Sequence, residues 1–319
     1  MPRVSRANAL SQLIRLEWGD HPLTAGRLVY LLKLKFGHGL QVAWYRDAVR
    51  PQILATPPIR TPDRTCEVHV LTSQGDWLNL IWALKSFYLH SGRRFTLCIH
   101  DDGTLRDLAR TELRAAFPDA RLISREEADS RVNPLLAGFP RSREFRATNT
   151  LALKVFDFRA FLDAARMMIF DSDILFFAAP MELLRILETS DRNSLNRDWR
   201  AGYTLDPAAI PSALNFKLPE LINSGLGLIH KESIRYEWIE EFLTLPGILS
   251  HPHQIEQTLI ALCSAKFGFT MLPAEYDIHL GPRRPGVPCR HYTGPIRHLM
   301  YSEGVRALAA DGILDSAPA

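Results

Sequence analysis

The sequence predicts an α/β fold: a doubly wound, mostly parallel sheet flanked by helices. Three observations predict it. Apolar strand-like runs alternate with stretches of helical periodicity from residue 67 onward. The run over residues 167–177 is apolar on both faces, the pattern of a central parallel strand covered from two sides. Polar residues with chemical potential gather where these strands end, which is where ligands bind in open α/β sheets. With 46% hydrophobic and 23% charged residues in 319, the chain is globular material sufficient for one large domain and an appendage.

The elements follow in order. Residues 1–62 are expected as an irregular N-terminal extension with two short helical patterns, closing in a Pro-rich stretch, 56–62, of linker type. The main domain is expected over 63–300. Its first strand spans 67–72. A helix over 77–90 follows, with Leu78, Ile81, Trp82, Leu84 and Phe87 mostly on one face, as does a second strand over 95–100. A helix over 105–117, a short strand over 120–124 and a helix over 148–165 lead to the strand at 166–170. Residues 301–319 are expected as a C-terminal tail. The aromatics Trp77, Trp82, Phe87 and Tyr88 recur at helical spacing and are expected in the core.

Composition bounds the partners. A formal net charge of +3 without a dense Lys/Arg run argues against nucleic acid as the main partner. Cys66, Cys98, Cys263 and Cys289 are far apart and form no CxxC pair, which fits a reducing cytoplasm. Residues 1–20 lack the apolar core of a signal peptide. The apolar segment within 24–36 is too short to span a bilayer and is broken by Lys33 and Lys35. Two roles stay open for it: packing against the domain, or peripheral contact with the inner face of a membrane.

The most informative stretch is Met167-Met168-Ile169-Phe170, then Asp171-Ser172-Asp173, then Ile174-Leu175-Phe176-Phe177. Ionised carboxylates in a dry interior are costly, so a cation bound at the strand's open end is the expected solution. Residues two apart on an extended chain point the same way, with Cα atoms about 6.5–7 Å apart, and a modest turn lets both reach one ion. Hard oxygen donors favour Mn2+ or Mg2+ over zinc. The phosphatase motif of haloacid dehalogenases shares this local look, but it wants Thr or Val where Leu175 stands. A second constellation lies in the Pro-rich C-terminal loop: His291 as a third ligand, Gly294 for close backbone approach to a phosphate, and Arg297 to fork onto its oxygens.

A strand-borne aspartate pair followed by this His291, Gly294, Arg297 loop resembles the retaining glycosyltransferases of family 8, over roughly residues 66–300. The resemblance implies the GT-A fold, and a metal held by Asp171, Asp173 and His291. It sets Lys154 toward the sugar diphosphate. Asn223-Ser224-Gly225 matches the family's turn beside donor sugar and acceptor, and Glu256-Gln257 its acid-amide pair near the anomeric carbon. Thr72, Ser73 and Ser172 are expected in the donor cradle. The chain departs from the family after the first strand, where Gln74-Gly75-Asp76-Trp77 replaces the usual acidic and aromatic residues, and at Arg297, where a lysine is usual. Asp101 and Asp102 have two readings, contacts to base or ribose and a helix cap with Gly103. Arg141, Arg143 and Arg146 likewise either help hold the diphosphate or form a solvated face. Trp199, Tyr203 and Trp238 are candidates for stacking an acceptor sugar.

The expected activity is therefore metal-dependent hexose transfer from a nucleotide diphosphate sugar to an acceptor hydroxyl, with UDP and retention implied by the family alone. The acceptor is expected to be a glycan, a lipid-linked sugar or a small molecule. Competing expectations are an inverting GT-A enzyme with Glu256 as base, and a nucleotide-sugar-binding protein without turnover. A nucleotidyltransferase lacks its Gly-rich phosphate loop here.

Overall fold

The structure, a computed structural model, describes residues 35–315 apart from 209 and 211–213, together with residues 29 and 32. The expected segment 24–36 therefore lies mostly outside the described residues. The strands in chain order are β1 (Asp63–Thr72), β2 (Phe95–Asp101), β3 (Arg121–Ile123), β4 (Arg166–Phe170) and β5 (Ile174–Phe176), then β6 (Asn193–Arg197), β7 (Ile222–His230), β8 (Phe269–Met271) and β9 (Cys289–His291). Seven of them form one sheet in the order β3-β2-β1-β4-β7-β6-β8. Only β7 runs against the rest, pairing antiparallel with both β4 and β6. The predicted mostly parallel α/β sheet is thus what the chain forms.

Each face of the sheet carries helices over its own apolar core. On one side lie α1 (Leu40–Ala55), α2 (Trp77–Ser91) and α3 (Asp107–Ala116), packed on Val68, Val70 and Met168. Trp82, Phe87 and Tyr88 of α2 are fully buried there, as their spacing predicts. The opposite side carries α4 (Arg125–Leu135), α5 (Pro140–Thr148) and α6 (Leu153–Phe161). α7 (Met181–Thr189) instead buries Leu183 and Leu184 in the first cluster, and α8 (Tyr236–Phe242) and α9 (Ile255–Phe267) lie on the opposite side with α4 to α6, over Met167 and Ile169. No helix among the described residues is long and apolar enough to cross a membrane.

Four differences from the sequence expectation matter. The helix expected over 148–165 is shorter, α6 alone: Asn149 is extended, its side chain caps a single turn at Thr150–Ala152 by accepting from the Leu151 N–H at 2.9 Å, and the helix proper runs only over Leu153–Phe161. The apolar run through the aspartates is also two strands. β4 stays in the large sheet, residues 171–173 turn, and β5 leaves to pair antiparallel with β9 in a small sheet of its own. The Pro-rich stretch is strapped to the domain, since buried Lys85 donates to the Thr56 and Pro57 carbonyls and the Ile59 N–H bonds Ala116. The expected tail is core as far as residue 313: Tyr301, Val305, Leu308 and Ile313 are buried in the cluster under α1 and α2, the first three leading into or lying on α10 (Arg306–Ala310).

Candidate active site

Because β1, β2 and β4 are parallel, Thr72, Asp101 and Asp171 arrive at one edge of the sheet, and antiparallel β7 begins there with Asn223 and Ser224. A cavity of about 360 Å³ opens at that edge, within the range of roughly 300–1,000 Å³ usual for small-molecule sites. Thr72, Ser73 and Asp102 line it from the β1 and β2 ends, and Lys154 from α6. Asp171, Ser172 and Asp173 line it from the turn, Asn223 from β7, and Glu256 and Gln257 from α9. His291, Gly294 and Arg297 close it from the C-terminal loop.

Two predicted positions are not on the cavity wall. Asp101 is buried, its Oδ1 accepting from the N–H groups of Gly103 and Leu105 and its other oxygen paired with Arg110. Its carboxylate ties the loop after β2 and does not cap a helix, since the helix that follows starts at Asp107 with Arg106 as its N-cap. Gly225 is buried in β7 with the His291 ring against it, where a Cβ would lie 2.3 Å from Cε1. Glycine here makes room for the imidazole. The basic stretch stands apart as well. Buried Arg146 pairs with Asp157 at 2.6 Å and with Asp129, and Arg141 meets Glu240, so these arginines tie α4, α5, α6 and α8 together. Tyr203 spends its hydroxyl on the Pro219 carbonyl and Ile222 N–H, and Trp238 lies beneath Lys266 and Arg235, while Trp199 is half-exposed.

The departure of β5 assembles the acidic group. Ile174 pairs with His291 across the small sheet and the Tyr292 N–H bonds the Asp173 carbonyl, which brings a loop residue some hundred positions away against the turn. One ligand atom from each of Asp171, Asp173 and His291 lies within 4.8 Å of the others. His291 Nε2 is 3.2 Å from Asp173 and 3.8 Å from Asp171, whereas its buried Nδ1 has no hydrogen-bond partner among the described residues. Burial would push Asp173 up, but Arg297 and His291 hold its carboxyl down at about 2. Burial would likewise lower His291, and Asp173 and Asp171 outweigh it to raise the imidazole.

Two protein cations complete the electrostatics. Lys154 Nζ lies 2.9 Å from Asp171 and 3.4 Å from Glu256, and donates to the Ser224 carbonyl. Burial disfavours its charge, yet Asp171 and Glu256 raise it above the ordinary lysine value. Arg297 sets Nη1 3.0 Å from Asp173 and Nη2 on Asp76. Glu256 accepts from Ser224 Oγ at 3.0 Å, and its carboxyl is raised, burial outweighing Lys154. Gln257 and Asn223 hold each other: Gln257 Oε1 accepts from Asn223 Nδ2 at 3.2 Å, and Gln257 Nε2 donates to the Gly202 carbonyl. Two oxygen donors and one nitrogen, Asp173 and His291 buried and Asp171 part-exposed at the cavity wall, with carboxylate in excess of fixed positive charge, fit a hard divalent cation.

Sequence reasoning missed Asp76, Asp198 and His253. Asp76 and His253 line the cavity, and Asp198 accepts from Asn223 Nδ2 at 2.9 Å. Asp198 carried one signal, a carboxylate directly after a strand; nothing local marks the other two.

No protein-family profile and no curated protein sequence matches the chain. Solved structures do. The galactosyltransferase LgtC, in complex with donor and acceptor sugar analogs, aligns with TM-score 0.51 at 16% identity, over 79% of this chain and 97% of that one. Mouse xyloside xylosyltransferase 1 in its apo form aligns with TM-score 0.51 at 12% identity, over 73% of this chain and 99% of that one. The chain has the GT-A fold of these proteins.

Proposed function

We propose that this protein is a metal-dependent glycosyltransferase, related to family 8, that moves a hexose from a nucleotide diphosphate donor, UDP-linked by family expectation, to an acceptor hydroxyl with retention. The observation that carries the reading is the convergence at one cavity of Asp171, Asp173 and His291 with the cations Lys154 and Arg297. On this reading Asp171, Asp173 and His291 would hold Mn2+ or Mg2+, which when bound would supply Lewis-acid neutralisation of diphosphate charge. Breaking the sugar-phosphate bond builds negative charge on that leaving group, and Lys154 and Arg297 are fixed positive groups already in place to meet it. Asn223 and Gln257, each hydrogen-bonded by the other, present a rigid polar wall for the sugar. Thr72, Ser73, Asp102, Ser172 and Gly294 supply the remaining donor contacts.

Glu256 favours retention over the inverting alternative. A general base needs a carboxylate oxygen facing the acceptor and free of a fixed cation, whereas Glu256 Oε2 accepts from Ser224 and Oε1, which accepts no hydrogen bond among the described residues, is buried 3.4 Å from Lys154 Nζ. Its work is to hold Lys154. The decisive experiment is a screen of nucleotide sugars for Mn2+-dependent hydrolysis or transfer, comparing wild type with Asp173→Ala. Turnover by wild type and its loss in the variant carry the reading, and product-anomer NMR separates retention from inversion. Tight UDP binding with no turnover on any donor would replace it with a non-catalytic binding protein.

A further inference from the structure

Asp76 occupies a position that its own helix does not explain. It is the N-cap of α2, where aspartate normally accepts a backbone N–H of the first turn, yet its side chain makes no such bond. The carboxylate turns instead into the cavity, accepting from Ser73 Oγ and from Asn79 Nδ2 at 3.2 Å, and grips Arg297 Nη2. Asn79 is braced in turn by the hydroxyl of buried Tyr301 at 2.8 Å. Arg297 thus has a divided fork. One arm rests on braced Asp76 and the other, Nη1, on the metal-type ligand Asp173 at 3.0 Å. Lys154 is shared in the same manner between Asp171 and Glu256. Each aspartate of the pair therefore already holds a protein cation, and each cation has a second carboxylate behind it.

A divalent cation entering this group competes with Arg297 for Asp173. An arginine with no other anchor would close both arms on that carboxylate, the bidentate grip that guanidinium prefers. We propose that Asp76 is a positioning residue that holds Arg297 off a bidentate closure on Asp173, keeping Asp173 available to a divalent cation and leaving Arg297 anchored toward the donor's phosphates once the cation is bound. The inference rests on the metal reading given above. It adds to it a residue outside the ligand set, with an effect that operates before any nucleotide binds.

The test is a titration of the full chain with Mn2+ alone, read by the electron paramagnetic resonance signal of free Mn2+, with thermal melts as a folding control. Asp76→Asn is expected to raise the Mn2+ dissociation constant roughly five- to tenfold, and Arg297→Gln to lower it. In the Arg297→Gln background, adding Asp76→Asn is expected to change the constant by less than about twofold, because the competitor is gone. Asp76→Glu, which restores a carboxylate, is expected to recover most of the wild-type affinity. Equal affinities in wild type and Asp76→Asn, or an Asp76→Asn effect that persists without Arg297, would overturn the inference while leaving the metal site intact. Failure of every variant, wild type included, to bind Mn2+ overturns both.

Discussion

Among the described residues the chain gathers two clusters of ligand-type side chains, at opposite ends of the main sheet, and they have opposite characters. Glu67, His69 and Cys98 approach one another as closely as Asp171, Asp173 and His291 do, each trio placing its ligand atoms within 4.8 Å. Glu67, however, lies beside the start of β4, at the other end of the sheet from the cavity, and its oxygens are fully engaged. Oε1 accepts from the N–H groups of Asp163 and Ala164, and Oε2 meets His69 Nε2 at 3.0 Å and Arg121 Nη2 at 2.6 Å. Arg121 also reaches Cys98 Sγ at 2.8 Å. A guanidinium already sits where an ion would, and the cluster lines no wall of the active-site cavity. At Asp171 and Asp173 the protein's cations stand at the sides of an open space instead. Proximity of ligand-type residues makes a candidate metal centre where they face a cavity and leave ligand atoms free, as His291 Nδ1 is left among the described residues, and makes a structural network where they are saturated.

The comparison breaks most visibly at Asp173. Asp173→Ala is expected to lower Mn2+-dependent donor turnover by about a hundred- to a thousandfold, whereas substitutions in the Glu67 cluster should act on stability; full turnover in Asp173→Ala would erase the distinction. Next in size is Gly225→Ala, whose Cβ would stand 2.3 Å from His291 Cε1 and 2.8 Å from Nδ1. Displacing the ring is expected to weaken Mn2+ binding by about tenfold or more, checked by the same Mn2+ titration. An unchanged constant would remove His291 from the ligand set.

The Glu67 cluster has its own signature in pH. Burial pushes the Glu67 carboxyl up, but His69, the Ala164 N–H and Arg121 outweigh it and set it at about 2, below the ordinary 4.5. A carboxyl depressed on folding contributes stability that is fully present above its unfolded value and is lost as pH falls toward the folded one. Glu67→Gln is therefore expected to cost about 3 kcal/mol near neutrality, with the gap to wild type closing between pH 4.5 and about 2. Denaturant melts across that range measure it, and a gap independent of pH would contradict the network described. The smallest effect is at Arg141, whose exposed guanidinium stands 3.7 Å from Glu240. Arg141→Ala is expected to shift stability by less than about 1 kcal/mol and to leave the donor KM unchanged; a raised KM would bring the basic stretch back to the diphosphate.

Much of this was legible in the sequence. The β1, β2 and β4 strands, the α2 helix and the site edge follow from apolar periodicity, since in a parallel sheet the residue after each strand must reach the same edge. Asp171 and Asp173 announced themselves as carboxylates inside an apolar run, and His291, Gly294 and Arg297 by their spacing in a Pro-rich loop. Asp76 announced nothing, because its partner Arg297 is 221 positions away. The late start of α6 was hidden for a different reason. Helical periodicity runs up to residue 148 and on from 153, but extended Asn149 with its capping side chain interrupts it, and only the folded backbone shows that break.

What the chain determined by itself was local: which segments alternate, which carboxylates interrupt an apolar run, and hence which edge of the sheet carries chemistry. Tertiary structure decided the pairings. It took β5 out of the main sheet to meet β9, placed Arg146 in a structural ion pair, left Arg297 between two carboxylates, and filled the Glu67 cluster with Arg121. The reason is physical. Periodicity is set by a few neighbouring residues, whereas the character of a buried charge depends on every group packed around it, and those groups come from segments that only the folded chain brings together.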